Sequence, residues 1–600
     1  MAISEPFVLL DDARTQDAAE AQLFRSPVQM FVAYRAHEVA PVLAEAEQVR
    51  SQTGHTLAGY IAYEAGLALE AKLAPLAAAR TGANGPLVWL GLFESCEKFA
   101  PAAVPEWLAA HGSGKPAHIG PLKPGISCGD YARAFDRMQD AICSGDIYQA
   151  NLTFPLGGTY RGDPLDLYAA IRPHAAAGYG GIVFDGSHWL LSLSPELFVS
   201  LRDGEAKAKP MKGTRPRGQT AAEDSAYAGE LAVSVKDRAE NLMIVDLLRN
   251  DLSRVARTGT VTVEDAFSVE TYPTVHQMVT TVKARLAEGR TAADMIRALF
   301  PCGSITGAPK IRAMELINDT ESDPRGPYCG AIGRIDGSGD AAFNVAIRTV
   351  HLTPDENGSG RAVMGVGSAI VADSQCLPEW RECLLKGGFV QKGDAAGFDL
   401  FETMHFDPET GIALLELHLE RLKASAAELG FAFDRHAMRN QIQALCFDLS
   451  DAAKLRLALA RSGATALEVS PVPCTIEGAM KCAVLPLPID EGDLRLRHKT
   501  TDRWFYDDAL AAARGAGADE ALLMRDDGLL TEGSYTSIFV ERAGVLLTPP
   551  LSLGLLPGVL RRSLIDSGKA RESELTISDL EDGFFIGNAL RGLLPARLLT

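Results

Sequence analysis

The 600-residue chain has no CxxC pair among its ten cysteines, no uninterrupted apolar run of eighteen residues and no excess of basic charge. Each absence excludes something. Scattered cysteines argue against a secreted disulfide framework and for a reduced cytosolic chain. Without a long apolar run there is no candidate membrane span, and the start MAISEPFVLLDDAR has neither the basic residues nor the hydrophobic stretch of a leader. A formal net charge of −19 would repel a phosphate backbone or an anionic membrane. The expectation is therefore a cytoplasmic protein with neither nucleic acid nor membrane as partner. Any anionic substrate must meet a local basic pocket.

No repeat or low-complexity block appears, and the length exceeds what one hydrophobic core usually serves. Gly- and Pro-rich stretches at Gly112–Gly125 and Lys386–Gly397 read as loops, and a new strand pattern begins at Phe398. This predicts a large first domain over residues 1–390, divided into an N-terminal segment (residues 1–125) and a catalytic core (residues 126–390). A linker, 391–397, and a smaller domain, 398–600, follow. In the first, β-rich runs at Gly181–Phe184, Trp189–Leu193 and Leu197–Leu201 are interspersed with helical stretches such as Asp237–Val255. In the second, a helix at Leu417–Leu429 precedes strand patterns at Glu520–Leu523, Ser537–Glu541 and Val545–Thr548. Both read as layered α+β domains.

Several segments carry chemistry. Lys209–Gly218 (KPMKGTRPRG) crowds cations and two glycines around Lys212, and reads as a basic turn. Asp237 and Glu240 share a helix face, as do Glu379, Glu382 and Lys386 on a helix with Pro378 in its first turn. Two helices presenting paired carboxylates suit Mg²⁺, which takes few carboxylates and keeps waters. Glycine-rich Cys302–Lys310 (CGSITGAPK) and Gly365–Ile370 (GVGSAI) can offer backbone amides to a carboxylate. Taken singly, each of these is equally a solvated face or an ordinary turn.

Together and in order, GDIYQANLT, SPELF, PMKGTRPRG, AENLMIVDLLRNDL, GSITGAPK and EWREC resemble the chorismate-utilising family. That family includes the anthranilate synthase large subunit, aminodeoxychorismate synthase component I, and the isochorismate and salicylate synthases. The resemblance implies Glu240 and Glu382 as Mg²⁺ ligands, with Asp237 and Glu379 assisting through water. It implies Glu196 as the acid that protonates the departing C4 hydroxyl, and His276 as a ring-facing histidine. Chorismate would be bound by Tyr328, Arg348, Thr306, Gly307, Lys386 and the backbone at Gly365 and Gly367. Gln149 stands where water-adding members carry a lysine base, which disfavours water addition. Lys212 stands where anthranilate synthases carry alanine and aminodeoxychorismate synthases carry lysine, so amination at C4 is expected. A neutral Lys212 would attack C2, its pKa lowered by burial or by Arg215 and Arg217. No Cys/His glutaminase signature is present, so a separate glutamine amidotransferase is the implied ammonia source. Tyr60–Glu70 resembles the family's outer sheet region, where some relatives bind tryptophan.

Beyond residue 398, Lys499 and Glu532 have the types that pyridoxal phosphate needs, an imine-forming lysine and an acid that keeps the pyridine nitrogen protonated. Arg421 and the turn Leu556–Val559 can supply phosphate contacts. The motifs LFETM, HLERL, HKTTDR, TEGSYTSIF, GLLPGVLR and GNALRGLLP resemble class IV aminotransferases. By that resemblance Lys499 bears the cofactor, Glu532 meets the ring nitrogen, and Arg421 with amides near Val559 holds phosphate. Ser537 replaces a usual asparagine, and Asn588 stands where some members have a phosphate-binding threonine. The small lobe is trimmed, to be completed by the first half or by a second chain, as in a homodimer through the C-terminal domain. Fusion to the first half implies a lyase that releases pyruvate and 4-aminobenzoate. The alternatives are an anthranilate synthase-like enzyme joined to an aminotransferase, or a synthase with an inactive docking module.

Overall fold

The computed structural model describes residues 5–14, 17–77, 85–218, 220–271, 275–355, 358–391, 397–447, 449–474, 476 and 478–599. It divides into two compact units, Met1–Gly397 and Phe398–Thr600. Residues 392–396 of the expected linker lie outside the described residues. Both units mix helices and strands, an α+β architecture throughout. No described helix is long and apolar enough to cross a membrane.

The first unit is built on an eleven-stranded and a ten-stranded sheet. Val8, Phe24, Val183 and Leu190 of one sheet pack with Ala58, Tyr60, Trp89 and Ile332 of the other in one buried cluster, so the sheets form a sandwich. Burying each large apolar side chain there contributes roughly 1.5–3 kcal/mol. The outer face is covered too, since Phe7 contacts Trp107 at 6.1 Å and Trp189 at 5.7 Å between ring centroids. Residues before 125 complete both sheets: Phe7–Asp11 pairs with Tyr179–Phe184, and Thr56–Ile61 with Ala331–Ile335. Tyr60 is therefore a core residue. The Gly112–Gly125 stretch is stitched in as well, its His118–Ile119 and Lys123–Pro124 pairing with Gln149–Arg161.

Two expectations are corrected here. Lys209–Gly218 is no turn, because Met211–Pro216 is a strand paired antiparallel with Val275–Arg285. The Lys386 joint begins later than expected, because the helix Cys376–Gly387 runs through Lys386.

The second unit holds a four-stranded sheet, including Leu400–Asp407 and Ala453–Leu459, accompanied by the helices Leu415–Leu429 and Arg435–Phe447. Its eight-stranded sheet includes Glu520–Met524, Leu530–Gly533 and Ser537–Arg542. Lys499 follows the short helix Leu494–Arg497 and joins the smaller sheet: the Phe401 N–H donates to Lys499 O at 3.1 Å, and Leu400 bridges Thr500.

Candidate active sites

In the first unit the chain changes sheets twice at the same end. Glu196 lies between Trp189–Ser194 of one sheet and Leu197–Arg202 of the other, and Arg348 lies between Ala341–Asn344 and Thr349–Pro354. The crossings are bonded together, Val345 N–H to Glu196 O at 3.1 Å and Leu193 N–H to Arg348 O at 3.0 Å. Cys329 N–H donates to Ala346 O, which brings Tyr328 to the same place. Tyr328 lies flat on Gly365, where a Cβ would come within 2.1 Å of the ring.

Glu196 is buried, and its Oε1 accepts from Ser304 Oγ at 2.8 Å. Burial pushes its carboxyl up to about 7, against the pull of the Ser304 bond and the Lys212 charge. Arg348 is half-buried in the left-handed region at φ +50°, a strained backbone for a non-glycine residue. Burial alone lowers its pKa, and no carboxylate among the described residues pairs with it. Such a guanidinium suits an anionic ligand.

Lys212 is half-buried on its strand. Burial lowers its pKa; Glu240, Glu196 and Glu382 oppose that, while Lys386 adds to it. Lys212 is therefore within electrostatic reach of all four groups. Gly213 at φ +84° permits this, since a Cβ there would strike the Asp237 side chain at 2.8 Å and hold off the helix Val235–Ser253. The expected help from Arg215 and Arg217 is not found: Arg215 pairs with Glu230 at 2.9 Å and Asp237 at 3.1 Å, and Arg217 with Asp224 at 2.7 Å. Both are held by acids of neighbouring helices, and burial and Lys386 lower the Lys212 pKa instead.

Lys386 pairs with Glu382 at 2.7 Å and donates to Gly367 O at 3.0 Å, and Glu379 accepts from Ser374 Oγ at 2.7 Å. His276 is buried, with its ring nitrogens at 3.0 Å from Thr271 Oγ1 and 2.9 Å from Asp224 Oδ1. Its polar contacts are thus with Thr271 and Asp224 rather than with Glu196 or Lys212. The Thr306 hydroxyl is engaged by Cys302 O at 3.1 Å. Gly307, at φ +156°, would clash through a Cβ with Gln149 O at 2.2 Å. The Gln149 amide is fully buried with neither polar atom bonded.

A cavity of about 510 Å³ shares Tyr328 and Gly365 with this set and is lined also by Thr153, Arg325, His351 and Arg361, but not by Lys212 or Glu196. Sequence reasoning missed Arg325. Buried and paired with Glu321 at 2.7 Å, it donates to Ile305 O and Asn151 O and so braces the Gly303–Gly307 segment. Ser304 was visible only as one residue of a glycine-rich motif.

In the second unit Lys499 is half-buried and its Nζ lies 5.0 Å from the Phe401 ring centroid. Burial and the cations Arg421, Arg503 and Arg456 bring its pKa down to about 7, with Glu402 opposing. Arg421 binds Glu402 at 2.6 and 2.8 Å and donates to Pro557 O at 3.0 Å, which brings it beside the start of the helix Val559–Asp566. Glu402 also accepts from or shares a proton with His418 Nδ1 at 2.6 Å. Burial alone would raise the Glu402 carboxyl, but Arg421 and His418 hold it well below the usual range. Glu532 is buried, which raises its carboxyl to about 8. Its Oε1 accepts from Tyr506 OH at 2.5 Å and Leu556 N–H at 3.0 Å, which leaves Oε2 without a partner among the described residues. Asn588 is engaged in its own turn, accepting from Leu590 and Arg591 N–H and donating to Tyr535 O. Glu402 and His418 sat inside the motifs LFETM and HLERL, whereas no sequence rule marks Tyr506.

Residues 5–392 match the profile of the chorismate binding enzymes and residues 399–599 that of the class IV amino-transferases. The chain belongs to the chorismate binding enzyme family and carries a class IV amino-transferase domain after it. It is 43% identical to aminodeoxychorismate synthase component 1 of Klebsiella aerogenes over 42% of this chain and 55% of that protein. Anthranilate synthase component 1 of Synechocystis sp. is 41% identical over 41% of this chain and 50% of that protein. The chain spans about half the length of these curated relatives. The crystal structure of anthranilate synthase component I from Streptococcus pneumoniae superimposes with a TM-score of 0.52 at 26% identity, covering 62% of this chain and 92% of that one.

Proposed function

We propose that the chain performs two consecutive reactions of 4-aminobenzoate synthesis: amination of chorismate to 4-amino-4-deoxychorismate in the first unit, and elimination of pyruvate from that product in the second. The observation that carries the first is Lys212, an amine of lowered pKa within electrostatic reach of the acid Glu196. Glu196, protonated up to about pH 7, gives its proton to the departing C4 hydroxyl. Neutral Lys212 attacks C2 as that hydroxyl leaves, and ammonia from a separate glutamine amidotransferase adds at C4 and expels the lysine. Arg348 and Tyr328 hold a chorismate carboxylate. Anthranilate synthases match at similar identity, so C4 rather than C2 amination rests on Lys212.

Mg²⁺ would be held by Glu240 and Glu382, with Asp237 and Glu379 behind water. The donors are all carboxylate oxygens, the hard ligands such a cation takes, with waters and an anionic substrate completing its coordination. In the second unit pyridoxal phosphate would be held by Lys499, by the unbonded Oε2 of Glu532, and by Arg421 with the amides near Val559, a donor set that fits its amine-reactive carbon, ring nitrogen and phosphate. Bound there, it supplies an electron sink. Lys499, with a pKa near 7, then takes the C4 proton; the C3–O bond breaks as the ring becomes aromatic, and the departing enolpyruvate gains a proton at its methylene carbon to become pyruvate.

The test is to incubate the chain with chorismate, ammonium and Mg²⁺ and to identify products by mass and retention against standards. 4-Aminobenzoate and pyruvate are expected. Anthranilate as the main product overturns the reading of Lys212.

A further inference from the structure

The second unit contains a guanidinium to which no ligand has yet been assigned. Arg456 lies in the middle of the strand Ala453–Leu459, directly opposite Thr403 in the antiparallel register with Leu400–Asp407. Thr403 and Phe401 share its side of the sheet, two residues apart on their strand. The Arg456 guanidinium carbon is 4.7 Å from the Phe401 ring centroid, and Lys499 Nζ is 5.0 Å from the same centroid. The two cationic groups can therefore be no farther apart than the sum of those distances, about 9.7 Å. Backbone bonds fix this arrangement, because Phe401 N–H is tied to Lys499 O and Leu400 is bridged to Thr500.

Each of the other arginines nearby has an acidic partner: Arg421 has Glu402, Arg503 has Asp507 and Arg495 has Asp493. Arg456 has no ion-pair partner among the described residues. Its cross-strand neighbour Glu468 is exposed and forms no ion pair with it. A half-buried guanidinium on an apolar ring is costly to leave without an anion. Its planar fork matches a carboxylate in two parallel hydrogen bonds. The amine that this unit is proposed to act on carries a carboxylate on the ring carbon opposite its amino group. With the amino group presented at Lys499, that carboxylate points away across the ring, a span that fits within the limit above.

We propose that Arg456 binds the ring carboxylate of the amine substrate and selects carboxylated cyclic amines over amines that lack the acid. This rests on the second-unit reading given above. It supplies the substrate contact that the trimmed lobe otherwise lacks.

The probes are 4-aminobenzoate and aniline, titrated into the full-length protein after loading with pyridoxal phosphate. Binding is read from the visible absorption of the bound cofactor, which reports this site and not the chorismate site. The parent protein should bind 4-aminobenzoate at least about tenfold more tightly than aniline, as a charge-assisted bond implies. Arg456→Gln should abolish that preference and leave aniline within about twofold of the parent. Arg456→Lys, which keeps the charge but not the fork, should retain some of it. An unchanged preference in Arg456→Gln overturns the proposal alone. A parent protein that shows no cofactor band overturns the second-unit reading and the proposal with it. Equal weakening of both probes in both variants assigns Arg456 to folding and also overturns it.

Discussion

The two units present two lysines in opposite surroundings. Lys212 is faced by the carboxylates Glu240, Glu196 and Glu382, so only burial and Lys386 act to neutralise it. Lys499 is faced by Arg421, Arg503 and Arg456 with Glu402 alone opposing, and its pKa falls to about 7. The acids around Lys212 oppose the lowering that burial imposes on it. A lysine among guanidiniums has a large neutral fraction near pH 7 and so can react with a carbonyl. One residue type thus serves two chemistries through the sign of the charges around it.

The largest effect should come from Lys499→Ala. It should abolish 4-aminobenzoate formation, a loss of roughly a thousandfold or more, and remove the cofactor's visible absorption while chorismate consumption with ammonium continues. Lys212→Ala should do the reverse, slowing amination roughly a hundredfold while the protein still converts supplied 4-amino-4-deoxychorismate. Unchanged amination would reduce Lys212 to a binding residue. A third test separates the surroundings directly. Cofactor capture by the cofactor-free protein requires neutral Lys499, so its rate should rise with pH through about 7. Arg503→Gln removes a like charge and should move that midpoint upward, by up to about one unit. A downward shift or none would contradict the electrostatic account. The smallest effect concerns Tyr506, whose bond to Glu532 lowers the acid's pKa from where burial alone would set it. Tyr506→Phe should raise that pKa further and weaken cofactor binding a few-fold, about 1 kcal/mol, measurable by equilibrium dialysis.

Much of this was legible in the sequence, and the limits have physical causes. The strands near Glu196, the helix carrying Asp237 and Glu240, and the helix carrying Glu382 showed themselves by period and turn residues. The Lys212 segment was misread as a turn because its charges and glycines resemble one. Its strand pairing with Val275–Arg285 is a long-range contact that local composition does not encode. The same limit explains Arg215 and Arg217, whose acidic partners lie on helices that only the fold brings near. Tyr506 and Arg456 were invisible for a related reason. Each gains its meaning from one distant residue, Glu532 or Phe401.

The most direct test of two lysines serving two consecutive reactions uses the variants in succession. Lys499→Ala protein is incubated with chorismate, ammonium and Mg²⁺, removed by filtration, and the filtrate is given to Lys212→Ala protein loaded with pyridoxal phosphate. The account expects a filtrate containing 4-amino-4-deoxychorismate and no 4-aminobenzoate, which the second protein converts to 4-aminobenzoate and pyruvate in equal amounts. A filtrate that already contains 4-aminobenzoate at the parental level, or one that the second protein leaves unchanged, would contradict it.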